Sequence, residues 1–126
     1  MGIVNQENVQ IVKLAEVGKI PLAGGSWSSM VICSQQVSGN QSSLGYSVFK
    51  PCTVLPAVKH EVEEVAIVLQ GKGELQLDGD TIPYSRGDAL FIPAGVWHAV
   101  ANNGTEDVVM VFSFPYPGYP PTETRV

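Results

Sequence analysis

Histidine is scarce in this chain, with only His60 and His98 among 126 residues. Any site that needs imidazole has to be built from those two. Basic residues are also few: seven Lys and Arg stand against twelve Asp and Glu, for a net charge of −5. They are scattered rather than clustered, which argues against nucleic acid as a partner. Apolar runs stay far below the ~20 residues of a membrane-spanning helix. The first residues, 1–8, carry neither the positive start nor the unbroken apolar stretch of a secretion signal. A cytoplasmic protein without a membrane partner is therefore expected. Cysteine is limited to Cys33 and Cys52, which in that compartment are expected to be reduced rather than bridged. No G-x-S-x-G elbow, phosphate loop or dinucleotide fingerprint occurs, so serine acyl transfer and nucleotide chemistry are set aside.

What is present is globular composition, 44% hydrophobic and 15% charged, in a length that suits one core. No repeat or linker divides it, and residues 1–126 read as a single domain. Short apolar, β-branched runs recur at Val9–Leu14, Met30–Cys33, Tyr46–Phe49, Val65–Leu69, Glu74–Leu77, Ala89–Ile92, Trp97–Val100 and Val108–Phe114. Runs this short, with turn residues between them, predict an all-β sandwich or closed barrel. Asp78-Gly79 has the chemistry of a two-residue hairpin turn, and Asn102-Asn103-Gly104 is read the same way, with antiparallel neighbours on either side. Val9–Val17 is the one helix-like pattern, yet its β-branched residues suit a strand equally well. The tail from Pro115 to Pro121 cannot donate a regular ladder and is expected to leave the sheet as extended chain. Tyr116 and Tyr119 are expected to cover a barrel edge or a partner subunit.

Both histidines lie in patterned stretches. Gly87, Pro93, Gly95, His98 and Asn102 match G-x5-P-x-G-x2-H-x3-N at every fixed position. His60, Glu64 and Gly71 match the later part of G-x5-H-x-H-x3,4-E-x6-G, while Cys52 replaces its opening glycine and Val58 its first histidine. These stretches resemble the two motifs of the cupin superfamily. The resemblance spans about residues 44–114, with N-terminal strands in 1–43 and the Pro/Tyr-rich tail in 115–126. It implies an antiparallel double-stranded β-helix, or jelly-roll barrel, frequently a homodimer, with a metal near one open end.

The ligands it implies are His60, Glu64 and His98. Glu64 heads the apolar run Val65–Leu69, where a carboxylate needs a compensating partner. Glu61 and Glu63 have the wrong parity or spacing and are read as solvated charges. Residues two apart on a strand share a face, so Val58 sets an apolar wall beside His60. Two imidazoles and a carboxylate form a set that in non-haem iron enzymes leaves positions open for substrate and dioxygen. One divalent metal per chain is expected, Fe(II) first, with Mn, Ni or Zn as alternatives. Tyr46 is the candidate acid or base. Val58, Val100, Phe112 and Phe114 are candidates for the wall that contacts substrate. Trp97, by parity with His98, points away from the cavity. The expected function is a metal-dependent enzyme, a dioxygenase acting on a small organic acid or carbonyl compound. A lyase or isomerase using the metal as Lewis acid is the alternative, and a non-catalytic ligand-binding protein a further one.

Overall fold

The computed structural model describes residues 8–125, so most of the 1–8 leader reading lies outside it. Its elements are short strands: β1 (Ile20–Pro21), β2 (Trp27–Ile32), β3 (Ser43–Phe49), β4 (Thr53–Val54), β5 (Val58–His60) and β6 (Glu64–Gln70). They continue as β7 (Lys72–Leu77), β8 (Asp80–Ser85), β9 (Ala89–Ile92), β10 (His98–Asn102), β11 (Val108–Phe114) and β12 (Thr122–Thr124). One sheet runs β1-β2-β3-β11-β6-β9 and the other β12-β5-β10-β7-β8, with β4 added on β10. All of these pairings are antiparallel. The chain is thus the expected all-β, two-sheet barrel. Among the described residues no helix is long and apolar enough to cross a membrane.

Strand alternation places the core between the sheets. On β11, Val108, Met110, Phe112 and Phe114 are buried while the residues between them are only partly so. Phe49, Val68, Leu75 and Ile92 pack around Val108 and Met110, and Met30, Cys33 and Ala66 around Phe112 and Phe114. Gly45, on β3 opposite Phe112, must lack a side chain, because a Cβ there would overlap the Phe112 ring.

Turn chemistry sets the register in one expected place and not in the other. Gly79 has φ of 76° and joins β7 to β8, with Leu77 facing Asp80. Asn102-Asn103-Gly104 does not close a hairpin: β10 and β11 lie in different sheets. The Asn102 side chain instead donates to the carbonyls of Phe49 (2.8 Å) and Glu106 (2.9 Å) and accepts from Gly104 N–H (3.0 Å), stitching a crossover between layers.

The strand expected at Val9–Leu14 does not form. Val9 and Ile11 stand exposed, 67% and 87%, and the segment ends in a 3-10 turn at Leu14–Glu16. Without a neighbouring strand edge, β-branched residues have no ladder to join. Cys33 is buried, Cys52 exposed, and neither is bridged. Cys52 has φ of 60°, the left-handed conformation that the motif's glycine would take without strain.

Candidate metal centre

Three strands from two sheets bring the site together. β5 carries His60, β10 carries His98, and β6 begins at Glu64. Gly87 (φ 91°) starts the turn into β9, and Gly95 (φ 76°) bends the chain back toward β10. The Gly95 N–H donates to the His60 carbonyl at 2.8 Å, which ties the β9–β10 connection to β5.

His60 and His98 are buried, 5% and 4% exposed. One Glu64 carboxylate oxygen, Oε1, lies 3.2 Å from His60 Nε2 and 3.4 Å from His98 Nε2. The candidate ligand atoms of the three residues all fall within 4.8 Å of one another. Both opposite ring nitrogens are committed. His98 Nδ1 lies 2.9 Å from the Val96 carbonyl, which can only accept, so Nδ1 bears the proton. His60 Nδ1 lies 2.7 Å from Thr122 Oγ1, whose own hydrogen goes to the Pro120 carbonyl at 2.8 Å, so Thr122 accepts from His60. In the neutral rings both Nε2 atoms therefore present lone pairs toward a carboxylate. Three acceptors this close need a shared positive charge, either a proton or a metal ion. The donor set fits a divalent ion.

Protonation follows the same geometry. Burial pushes Glu64 toward its neutral acid, but hydrogen bonds and charge from His60 and His98 outweigh it, and the carboxyl sits below its usual range. Burial likewise disfavours the His98 imidazolium, yet the bonds to Glu64 and the Val96 carbonyl outweigh it and raise the group. Without metal, Glu64's contribution to stability is present above its ordinary value of 4.5 and is lost as pH falls through the lowered one. His98's is full below 6.5 and is lost as pH rises through the raised value. The stability difference between wild type and Glu64→Gln, both in EDTA, should therefore be larger at about pH 5.5 than at about pH 8.5. Thermal unfolding checks this, and a difference independent of pH would count against the pair.

A cavity of about 610 Å³ opens beside the three residues. Val58, Val100, Phe112 and Phe114 line it. Tyr46 does not: on β3 the cavity is faced by Ser47 and Phe49, so Tyr46 turns outward and stacks on Trp27 at 5.9 Å. Its assignment as acid or base is therefore corrected. Trp97 lies outside, beneath Arg125 (4.1 Å) and Lys59 (5.1 Å). Glu61 and Glu63 are exposed.

Two residues of the site lie in the tail. Tyr119 meets His60 and Phe114 edge-on, at 5.5 and 5.7 Å, and lines the cavity. Residues 115–121 do leave the sheet, but they dock through carbonyls: Pro117 accepts from Ser34 N–H and Asn40 Nδ2, and Pro121 from Glu61 N–H. The chain then re-enters as β12, placing Thr122 opposite His60. Arg125 secures the end, with its N–H on the Ala57 carbonyl and its guanidinium on Asp78. Thr122 carried no motif; its only sequence signal was a β-branched residue beyond a proline run.

An antiparallel two-sheet barrel with a His-Glu-His cluster on its cavity wall defines a double-stranded β-helix protein able to hold one metal ion. The family model described as "Cupin domain" matches residues 45–114, over half of the chain, and the chain belongs to that family. It is 34% identical over 67 residues to a gentisate 1,2-dioxygenase of Ralstonia sp, covering 52% of this chain but 19% of that one. It is 27% identical over 104 residues to the polyketide synthase CurC of Streptomyces cyaneus, covering 82% of this chain and 67% of that protein. Among solved structures, the polyketide cyclase RemF from Streptomyces resistomycificus superposes with a TM-score of 0.77 at 22% identity, over 94% of this chain and 86% of that one. That last likeness is one of fold.

Proposed function

We propose that the chain is a metal-dependent enzyme that acts on a carbonyl or hydroxy-carbonyl compound held in the barrel cavity, with oxygen-dependent oxidation at Fe(II) as the leading chemistry. The observation that carries this is the convergence of His60 Nε2, His98 Nε2 and Glu64 Oε1 on the wall of a largely apolar cavity. Bound there, a divalent ion would supply positive charge that polarises a substrate oxygen, and Fe(II) would supply dioxygen chemistry as well. Val58, which faces the cavity where the family motif has a histidine, leaves that side free of a protein donor. The outward turn of Tyr46 removes the candidate base from the proton-transfer alternative. Likeness to the dioxygenase supports the same reading.

An oxygen-independent Lewis-acid reaction is the second reading. Tyr119, a phenol on the cavity wall, is available to it as a proton carrier, and CurC matches over more of the chain. The test is dissolved-oxygen consumption by Fe(II)-loaded protein presented with hydroxy-aromatic and 1,3-dicarbonyl compounds. Turnover with stoichiometric oxygen loss supports the first reading; turnover without oxygen loss supports the second.

Val58→His should place a third imidazole beside His60 on the same strand face. Metal affinity is expected to rise by roughly an order of magnitude, measured by competition with a chromophoric chelator, while turnover slows. Equal affinity in both proteins would mean that residue 58 does not reach the ion.

A further inference from the structure

The part of the cavity wall that β1, β2, β3 and β11 contribute is apolar except at one place. Ser28 and Ser47 are cross-strand partners on β2 and β3, and both line the cavity. Their hydroxyl oxygens lie 2.6 Å apart. Ser47 is 2% exposed, and its surroundings on that wall include Met30, Phe49 and Phe112. Two hydroxyls own two hydrogens and their mutual bond uses one. Among the described residues neither serine has another partner, so one O–H remains to be given. A buried hydroxyl donor in an apolar wall is costly unless something accepts from it.

Charge and size narrow that something. Among the described lining residues there is no lysine or arginine. Two neutral imidazoles, one carboxylate and a divalent ion carry a single net positive charge. One anionic oxygen is thereby balanced, whereas a second carboxylate would be buried unpaired, which is strongly disfavoured. A volume of about 610 Å³ belongs to pockets that take whole multi-ring ligands. A two-carbon diacid would leave most of it empty.

We infer that the cavity takes a bulky ring compound of the hydroxy-ketone type that carries at most one negative charge. Its paired oxygens face His60, Glu64 and His98, and a second carbonyl or hydroxyl at its far edge accepts from the Ser28–Ser47 pair. This rests on the metal-dependent reading above and narrows its carbonyl or hydroxy-carbonyl compound to a defined substrate class.

Two coloured probes separate the parts of this inference. 1-Hydroxyanthraquinone has a peri hydroxyl–carbonyl pair on one edge and a second carbonyl opposite; 1-hydroxyxanthone has the same pair but a ring ether oxygen opposite. Each is titrated by absorbance into protein as purified, with metal content measured on the same sample. Both should bind. The double variant Ser28→Ala/Ser47→Ala, which leaves no hydroxyl there to donate, should weaken the anthraquinone by ~5- to 20-fold, the scale of one buried hydrogen bond, and leave the xanthone within about twofold. If that variant fails to fold, the two single alanine variants carry the test, and the one that removes the hydroxyl facing the ligand should show the loss. Oxalate should not displace either dye at concentrations near theirs. Equal losses for the two dyes, no loss for either, or displacement by oxalate would overturn the inference. Absence of metal from the sample, with serine-dependent dye binding intact, would overturn the metal-dependent reading and leave the substrate class standing.

Discussion

Replacing His98 by alanine is expected to take the metal content of the purified protein from about one ion per chain to near zero, read by plasma mass spectrometry on untagged protein. Two lone-pair donors then become one, and Glu64 loses its 3.4 Å neighbour. Glu64→Ala should give the same loss, since both imidazoles face its Oε1. A stability signature should accompany it. An ion that binds only the folded state adds about 2.7 kcal/mol when free metal stands a hundredfold above its dissociation constant, on the order of 10 °C in a domain this size. Wild type should lose that increment in EDTA, and the two variants should have none to lose. Metal content unchanged in both variants would sink the site.

The second large effect is expected at Thr122. Thr122→Val keeps the shape of the side chain but removes the oxygen that accepts from His60 Nδ1 at 2.7 Å. His60 is then free to carry its hydrogen on Nε2, where it blocks the ion, and its ring orientation loses a restraint. Loss of such a partner behind a metal-bound imidazole typically weakens affinity by about 10- to 100-fold. Thr122→Ser, which keeps the hydroxyl, should restore nearly all of it. Chelator competition measures this, and thermal unfolding of the metal-free variants separates affinity from general damage. If valine and serine variants bind metal alike, the tail does not set the His60 tautomer.

The barrel core and the meeting of His60, Glu64 and His98 were legible because local spacing determines them. Pro93 and Gly95 shape the turn that leads into His98, and His60 and Glu64 sit either side of a short turn. Strand parity likewise placed Val58 on the face of His60, and the candidate wall residues Val100, Phe112 and Phe114 line the cavity with it. Tyr46 was misplaced because its orientation depends on which residues of β3 face inward, and that is set by pairing with β2 and β11. Asn102-Asn103-Gly104 carries hairpin residues, yet the Asn102 side chain spends its bonds on Phe49 and Glu106, a long-range use that no local pattern displays. Val9–Leu14 had strand composition without a strand to join. Thr122, Ser28 and Ser47 were out of reach for the same reason: each matters through a partner distant in sequence, His60 at 62 residues and one serine to the other at 19.

That 62-residue separation also orders events in time. The bond cannot form until β12 has docked on β5 and brought Thr122 opposite His60. A chain in which β12 has not yet docked would hold both histidines and Glu64 but not the latch that readies His60. It would be a poor competitor for metal at that stage, and an ion taken up at this site would enter a barrel that already carries β12.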